Sequence, residues 1–286
     1  MKKVLVIGAT GMLGNMVHRH LKSLGKYELY NTVYRNKLTD DSIVLDVTNK
    51  DELLSTLTNL KIDVVINCVG ALVQESKSSP ANAIYLNALF PHILKNWCDA
   101  NCAKLIHMST DCVFNGKKGD YSEDDFRDAD DVYGRSKALG EIFDTPHCTL
   151  RTSIIGPELK KNGIGLFHWF MKQKKVVKGY TNAYWSGVTT LELAKAIHKT
   201  IQNDLCGLYH VTNGDKISKY DLLQLFKNQT TNSLITIERF EDYYSDKSLL
   251  KSSRYDFEVP PFTKMIQDMF DVINSNPLVY RDYVKK

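Results

Sequence analysis

Short apolar runs alternate with amphipathic stretches through the first half of the chain. Lys2 to Ile7, Ile62 to Asn67 and Lys104 to Met108 are continuous and rich in aliphatic, often β-branched residues, as expected of strands buried on both faces of a parallel sheet. Glu28 to Tyr34, Ile43 to Val47 and Cys148 to Thr152 read as three further strands. Between them, helical spacing covers Met12 to Leu24, Asp51 to Leu60 and Pro80 to Ala100, and another helix runs from Tyr133 to about Phe143. Such alternation predicts an α/β fold, a doubly wound parallel sheet of the Rossmann type.

The regular pattern fails after Ile155-Gly156-Pro157. Lys160 to Trp185 mixes Gly, aromatics and Lys, while a helix at Thr190 to Gln202 and a strand at Gly207 to Val211 read as returning to the sheet. Helices at Ser218 to Phe226 and Met265 to Ile273 belong to what remains. The expected organisation is a Rossmann domain over 1–154, rejoined by 187–212, and a smaller discontinuous C-terminal substrate lobe over 155–186 and 213–286.

Composition narrows the classes. With 286 residues and 43% hydrophobic content the chain can bury a large core. A net charge of +4 without a basic block implies neither nucleic acid nor a membrane surface as partner. No apolar run approaches the roughly 20 residues a membrane span needs. Six scattered cysteines lack a C-x-x-C pair, so the expectation is free thiols in a reducing cytoplasm and no metal site.

The first strand ends in Gly8-Ala-Thr-Gly11-Met-Leu-Gly14, directly before a helix. Glycines there permit a tight turn, backbone approach to a pyrophosphate and close helix packing, with the helix N-terminus aimed at the anion. A dinucleotide is therefore expected against Gly8, Thr10, Gly11, Met12, Leu13 and Gly14. No carboxylate closes the second strand; Arg35 stands there instead, suited to a 2′-phosphate, which selects NADP(H). Asp46 suits the adenine amine, with Val47 beside it, and Cys68-Val69-Gly70 forms a turn passing beneath the cofactor. All these positions fall at C-terminal strand ends, where such sheets bind ligands.

Tyr133 and Lys137 lie one helical turn apart, so an ammonium is expected beside a phenol, lowering its pKa toward neutrality. Ser109-Thr110-Asp111, at the end of the fifth strand, can present a hydroxyl to the same pocket.

Taken together, GATGMLG at 8–14, STDCVF at 109–114, YGRSK at 133–137 and RTSIIGPE at 151–158 resemble the dTDP-4-dehydrorhamnose reductase family, extended short-chain reductases acting on nucleotide-activated 4-keto-6-deoxy sugars. The resemblance implies a catalytic set of Thr110, Tyr133 and Lys137, with Ser109 as substitute for Thr110. Tyr133 and Lys137 would also contact the cofactor, and a nucleotide-diphosphate sugar would be the substrate. Where the family carries Tyr, this chain has Cys112. In that respect it is similar to GDP-L-fucose synthase, which implies Cys112 and His168 as acid and base for C3 epimerisation before reduction. A looser similarity to surface-polysaccharide reductases points to a UDP-linked, 2-acetamido sugar. Lys172, Lys174, Lys175 and Lys178 either neutralise the diphosphate or form a solvated face. Extended reductases often dimerise through helices near 87–101 and 131–144, which leaves a homodimer open. The family also resembles the β subunit of methionine adenosyltransferase, so a non-catalytic NADP-binding regulator, inserting its tail from Asn276 to Lys286 into a partner, is the alternative.

Overall fold

In the computed structural model, which describes residues 1–230 and 235–283, the apolar runs form one sheet. Its strands are β1 (Lys3–Ile7), β2 (Glu28–Val33), β3 (Ile43–Val44), β4 (Val64–Asn67), β5 (Lys104–Ser109) and β6 (Cys148–Arg151). Gly207–His210, which becomes β11 in chain order, completes it, and all seven strands are parallel in the order β11-β6-β5-β4-β1-β2-β3. Period-2 alternation divides the core. Val4, Val6, Val64, Ile66, Ile106 and Met108 face one layer, while Leu5, Ile7, Val65 and Leu105 face the other.

Helices α1 (Met12–Leu24) and α2 (Lys50–Leu60) follow β1 and β3. The single helix expected over 80–100 is instead segmented. After a short α3 (Val73–Ser78) come α4 (Pro80–Ala83), a π-helical turn at Ile84–Leu89 and α5 (Phe90–Ala100). Pro91 has no N–H for the carbonyl of Asn87 four residues back, and the helix widens there. The widened turn aims Asn87 inward: its amide bonds both the N–H and the carbonyl of Ala71 (2.9 and 3.0 Å) and the Ser136 hydroxyl (3.1 Å). Helix α6 (Val132–Leu139) stops before Phe143, at Gly140. The third strand is likewise shorter than the run Ile43 to Val47 suggests.

Short strands and helices make up the rest. β7 (Ile154–Ile155) is followed by α7 (Leu166–Met171), β8 (Val176–Tyr180), β9 (Ala183–Trp185) and β10 (Val188–Thr189). α8 (Thr190–Gln202) packs along α1 before β11. Then come β12 (Ile217–Ser218), α9 (Lys219–Gln229), β13 (Thr236–Phe240), β14 (Ser245–Asp246) and α10 (Phe262–Ser275). Small sheets join early and late pieces: β8 with β13, β7 with β10, and β9 between β12 and β14. Lys160 to Trp185, irregular by sequence, therefore contributes two strands and a helix. Of the C-terminal tail, residues 284–286 lie outside the described residues. Tyr280 within it donates to Asn15 Oδ1 of α1 at 2.9 Å.

A buried ion cluster ties the sheet's far side together. Glu141, its side chain fully buried, accepts from Arg151 Nε and Nη2 (both 2.8 Å), Arg127 Nη1 (3.1 Å) and Ser109 Oγ (2.6 Å). Removing one partner of such a cluster strands the other charges away from water. Glu141→Ala is expected to lower unfolding free energy by about 3–5 kcal/mol. Lys251→Ala, which breaks an exposed pair with Asp256, should change it by less than about 1 kcal/mol. Urea midpoints of the two variants measure the difference.

Candidate active site

The glycine turn fits an anion. Gly8 adopts φ +83°, and the amides of Gly8 and Ala9 donate to Thr32 O (3.2 and 2.9 Å), pinning the turn to β2. A Cβ on Gly14 would lie 2.3 Å from Gly8 O, so only glycine lets α1 start this close. Gly11 caps α1 without a side chain, leaving the first-turn amides of Met12, Leu13 and Gly14 no internal acceptor. Cys68 and Val69 line the opposite wall: a Cβ on Gly8 would meet Val69 Cγ2 at 2.7 Å and the Cys68 carbonyl at 3.4 Å. Gly70 is exposed beside Asn87.

Arg35 is exposed just beyond β2, its guanidinium 4.7 Å from the Tyr34 ring centroid. Asp46 is half-buried and partly engaged, Oδ1 accepting from the N–H and hydroxyl of Thr48 (2.9 and 2.7 Å). The carbonyl of Val47 accepts from Tyr85 (3.1 Å).

A second group gathers where β5 ends. Thr110 caps the 3₁₀ turn Asp111–Val113, its Oγ1 accepting from Cys112 N (3.1 Å) and donating to Asp111 Oδ1 (3.0 Å). Helix α6 lies hard against that turn, since a Cβ on Gly134 would sit 2.1 Å from Cys112 O. Asp131 caps α6 by accepting from Gly134 N (2.7 Å). Tyr133 is thereby brought to Thr110, with which its hydroxyl is hydrogen-bonded, and to the charge field of Cys112 and Asp111. Lys137 is buried and donates to Met108 O at 2.5 Å.

The electrostatics differ from the sequence expectation. Burial, reinforced by Cys112, raises the Tyr133 pKa above the ordinary phenol range, so the resting phenol is neutral. Burial lowers Lys137 to about 8, with Glu141 opposing. Lys137 is not what governs the phenol here; loss of water outweighs it. Burial, with Asp111 adding to it, also pushes the Cys112 thiol up to about 12.

His168 has hydrogen-bond partners of its own. It is buried in α7, one ring nitrogen bonded to the Tyr283 hydroxyl and the other 3.3 Å from Lys161 O. Both nitrogens are thus occupied, and no contact joins it to Cys112 among the described residues. Lys172 donates to the Lys161 carbonyl and Lys178 lies over the Phe240 ring (4.3 Å); with Lys174 and Lys175 they are exposed. The loop before α7 does approach the cofactor turn, a Cβ on Gly165 falling 3.6 Å from Met12 Sδ.

One residue with no sequence signal joins the site from the opposite side. Lys247, half-buried after β14, passes over Gly116, where a Cβ would meet its Cγ at 2.9 Å. Burial works against its charge, but Cys112, Asp111, Asp131 and Tyr243 outweigh that and raise its pKa.

Residues 1–245 match the model of the RmlD substrate binding domain. A dTDP-4-dehydrorhamnose reductase of Aggregatibacter actinomycetemcomitans is 29% identical over 77% of this chain and 76% of its own length. The methionine adenosyltransferase 2 subunit beta of Danio rerio is 28% identical over 56% of this chain and 50% of its own. Among solved structures, dTDP-4-dehydrorhamnose reductase from Bacillus anthracis in complex with NADP superposes with a TM-score of 0.82 at 21% identity, covering 95% of this chain and 99% of that one. That likeness concerns the fold.

Gly14→Ala forces the Gly8 carbonyl out of the turn. Dinucleotide affinity, titrated by NADPH fluorescence on protein shown to be folded by circular dichroism, is expected to fall by at least about tenfold, roughly 1.4 kcal/mol.

Proposed function

This chain belongs to the RmlD substrate binding domain family, and on that premise we propose that it reduces the C4 ketone of a nucleotide-activated 4-keto-6-deoxyhexose with NADPH. The observation that carries the reading is the meeting of Thr110, Tyr133 and Lys137 at one strand end, on the sheet edge that also presents the glycine turn. The relatives' names make the dTDP-linked sugar the first candidate, with UDP-linked and 2-acetamido sugars as the other arms of the test.

The dinucleotide would be held by the turn from Gly8 to Gly14, by the Cys68–Gly70 wall, and by Asp46 and Val47. Arg35, free in solvent except for Tyr34, would meet a 2′-phosphate. When bound, the dinucleotide would supply hydride to the ketone carbon. Everything else falls to side chains. Tyr133, a neutral phenol in the resting site, gives its proton to the ketone oxygen as charge develops there. Thr110, whose Oγ1 accepts from Cys112 N, would turn its O–H from Asp111 Oδ1 to donate to the same oxygen. Lys137 would hold the cofactor ribose and keep positive charge nearby. Lys247 adds a second cation on the lobe side.

The reading stops at reduction. A 3-epimerase needs a free base, and His168 has both nitrogens engaged by Tyr283 and Lys161. The Danio rerio relative favours one alternative, a regulatory subunit that binds NADP without turnover.

NADPH oxidation against a panel of dTDP- and UDP-4-keto-6-deoxy sugars decides among these. Turnover of at least one panel sugar is expected, with product free of solvent deuterium at C3. Tyr133→Phe should lower kcat by about 10²–10⁴-fold. Tight NADPH binding with no turnover of any sugar would establish the regulator instead. Because the Lys137 ammonium is lost as pH rises through about 8, kcat/KM is expected to fall above that pH and not below it.

A further inference from the structure

Behind Lys137 lies a pair of buried residues outside the reductase set above. His107 sits within β5, wholly buried. Its Nε2 lies 3.5 Å from Lys137 Nζ and its Nδ1 lies 3.2 Å from Asn67 Nδ2, at the end of β4. The orientation of the Asn67 amide follows from its other bond: Oδ1 accepts from Val69 N at 3.0 Å, so the NH₂ faces the ring. An NH₂ group only donates. Nδ1 must therefore accept, and the single proton of the neutral imidazole resides on Nε2, toward the lysine. Burial and Lys137, with His92 on α5 adding to them, keep that ring neutral.

A lysine facing an N–H donor is in an unusual position. An ammonium and an imidazole N–H cannot bond each other, whereas a neutral amine can accept from that N–H. We propose that Asn67 and His107 are positioning residues for Lys137: the amide locks the imidazole as its Nε2–H tautomer, and that donor stabilises the lysine in its amine form. The proposal rests on the reduction reading for its purpose. Once Tyr133 has protonated the sugar oxygen, its phenolate must be refilled. An N–H bond of Lys137 breaks, an O–H bond forms on Tyr133, and the lone pair left on Nζ accepts from His107 Nε2–H. Water returns the proton to Nζ afterwards. Met108 O accepts from Nζ in either state (2.5 Å), so the side chain need not move. The groups acting on this pair are Glu141 on the lysine and His92 on the imidazole. Glu141 is itself neutralised by Arg151 and Arg127.

Two readouts independent of turnover test it on the full chain. Long-range ¹H–¹⁵N correlation spectra should show His107 as the Nε2–H tautomer in the wild-type protein; an Nδ1–H ring overturns the proposal with no variant needed. The second is the pH dependence of Lys137 acylation by acetic anhydride, resolved by peptide mass spectrometry, with a wild-type half-point near pH 8. Asn67→Ala frees the ring, and Asn67→Asp recruits Nδ1–H, leaving Nε2 to accept from the ammonium. Both variants should raise the half-point by about one pH unit or more. A rise in Asn67→Asp alone is a simple charge effect and overturns the proposal, as does no rise in either. Should the sugar panel yield no substrate, these outcomes still stand, so failure of the reductase reading and failure of the relay are told apart.

Discussion

The contact on which this architecture depends is the bond from Lys137 to the carbonyl of Met108 at the end of β5. An ammonium withdrawn from water needs compensation from partners and nearby charge. Met108 O supplies one partner, and Glu141, one turn further along the chain, supplies the opposing charge. Glu141 in turn is tolerable only because Arg151 and Arg127 surround it. The same residues therefore settle the lysine, join α6 to β5 and β6, and fix how near Tyr133 comes to Thr110. Gly134 allows that approach, and Asp131 sets where the helix begins.

The cluster also explains why a segment from late in the chain belongs to the first sheet. Arg151 Nη1 reaches His210 Nε2 (2.9 Å) on β11, and His210 Nδ1 in turn bonds Leu250 O (3.2 Å). Glu123 meets the same strand through His210 N (3.0 Å). These bonds lead from the end of α6 to the lobe segment that carries Lys247. A lobe assembled from two- and three-residue strands has little ladder of its own. Its position is set instead by polar anchors such as Lys216, which bonds both Asp120 and Asp246 (2.9 Å each), and Tyr280 on Asn15.

What the sequence made legible follows from length and periodicity. Strands buried on both faces, such as Val4 to Ile7, announce themselves as apolar runs, and the glycine spacing has few other uses directly between a strand and a helix. Thr110, Tyr133 and the glycine turn were readable for that reason. Short strands such as Ile217–Ser218 carry no period to detect, and the π turn depends on what one proline fails to donate. Lys247 looks like any surface lysine until the fold buries it. Nor does sequence disclose dielectric: Tyr-x-x-x-Lys suggests an acidic phenol, but removing water reverses the sign of the effect. Nor does the sequence disclose that Tyr283, more than a hundred residues from His168 along the chain, hydrogen-bonds its imidazole.

That reversal suits the chemistry better than the expectation it replaces. Burial raises the pKa of Tyr133 and lowers that of Lys137 through one cause, the poor solvation of charge. Phenolate beside ammonium is thus disfavoured in the resting site, and below pH about 8 a neutral phenol beside the ammonium is favoured. A proton donor for a ketone must carry its proton before the reaction begins, which a neutral phenol does and a phenolate does not. Negative charge enters only when a substrate oxygen starts to become an alkoxide, and there a nearby ammonium is most stabilising, because little water screens it. A site dry enough to keep the tyrosine protonated makes the lysine's charge count most in the transition state.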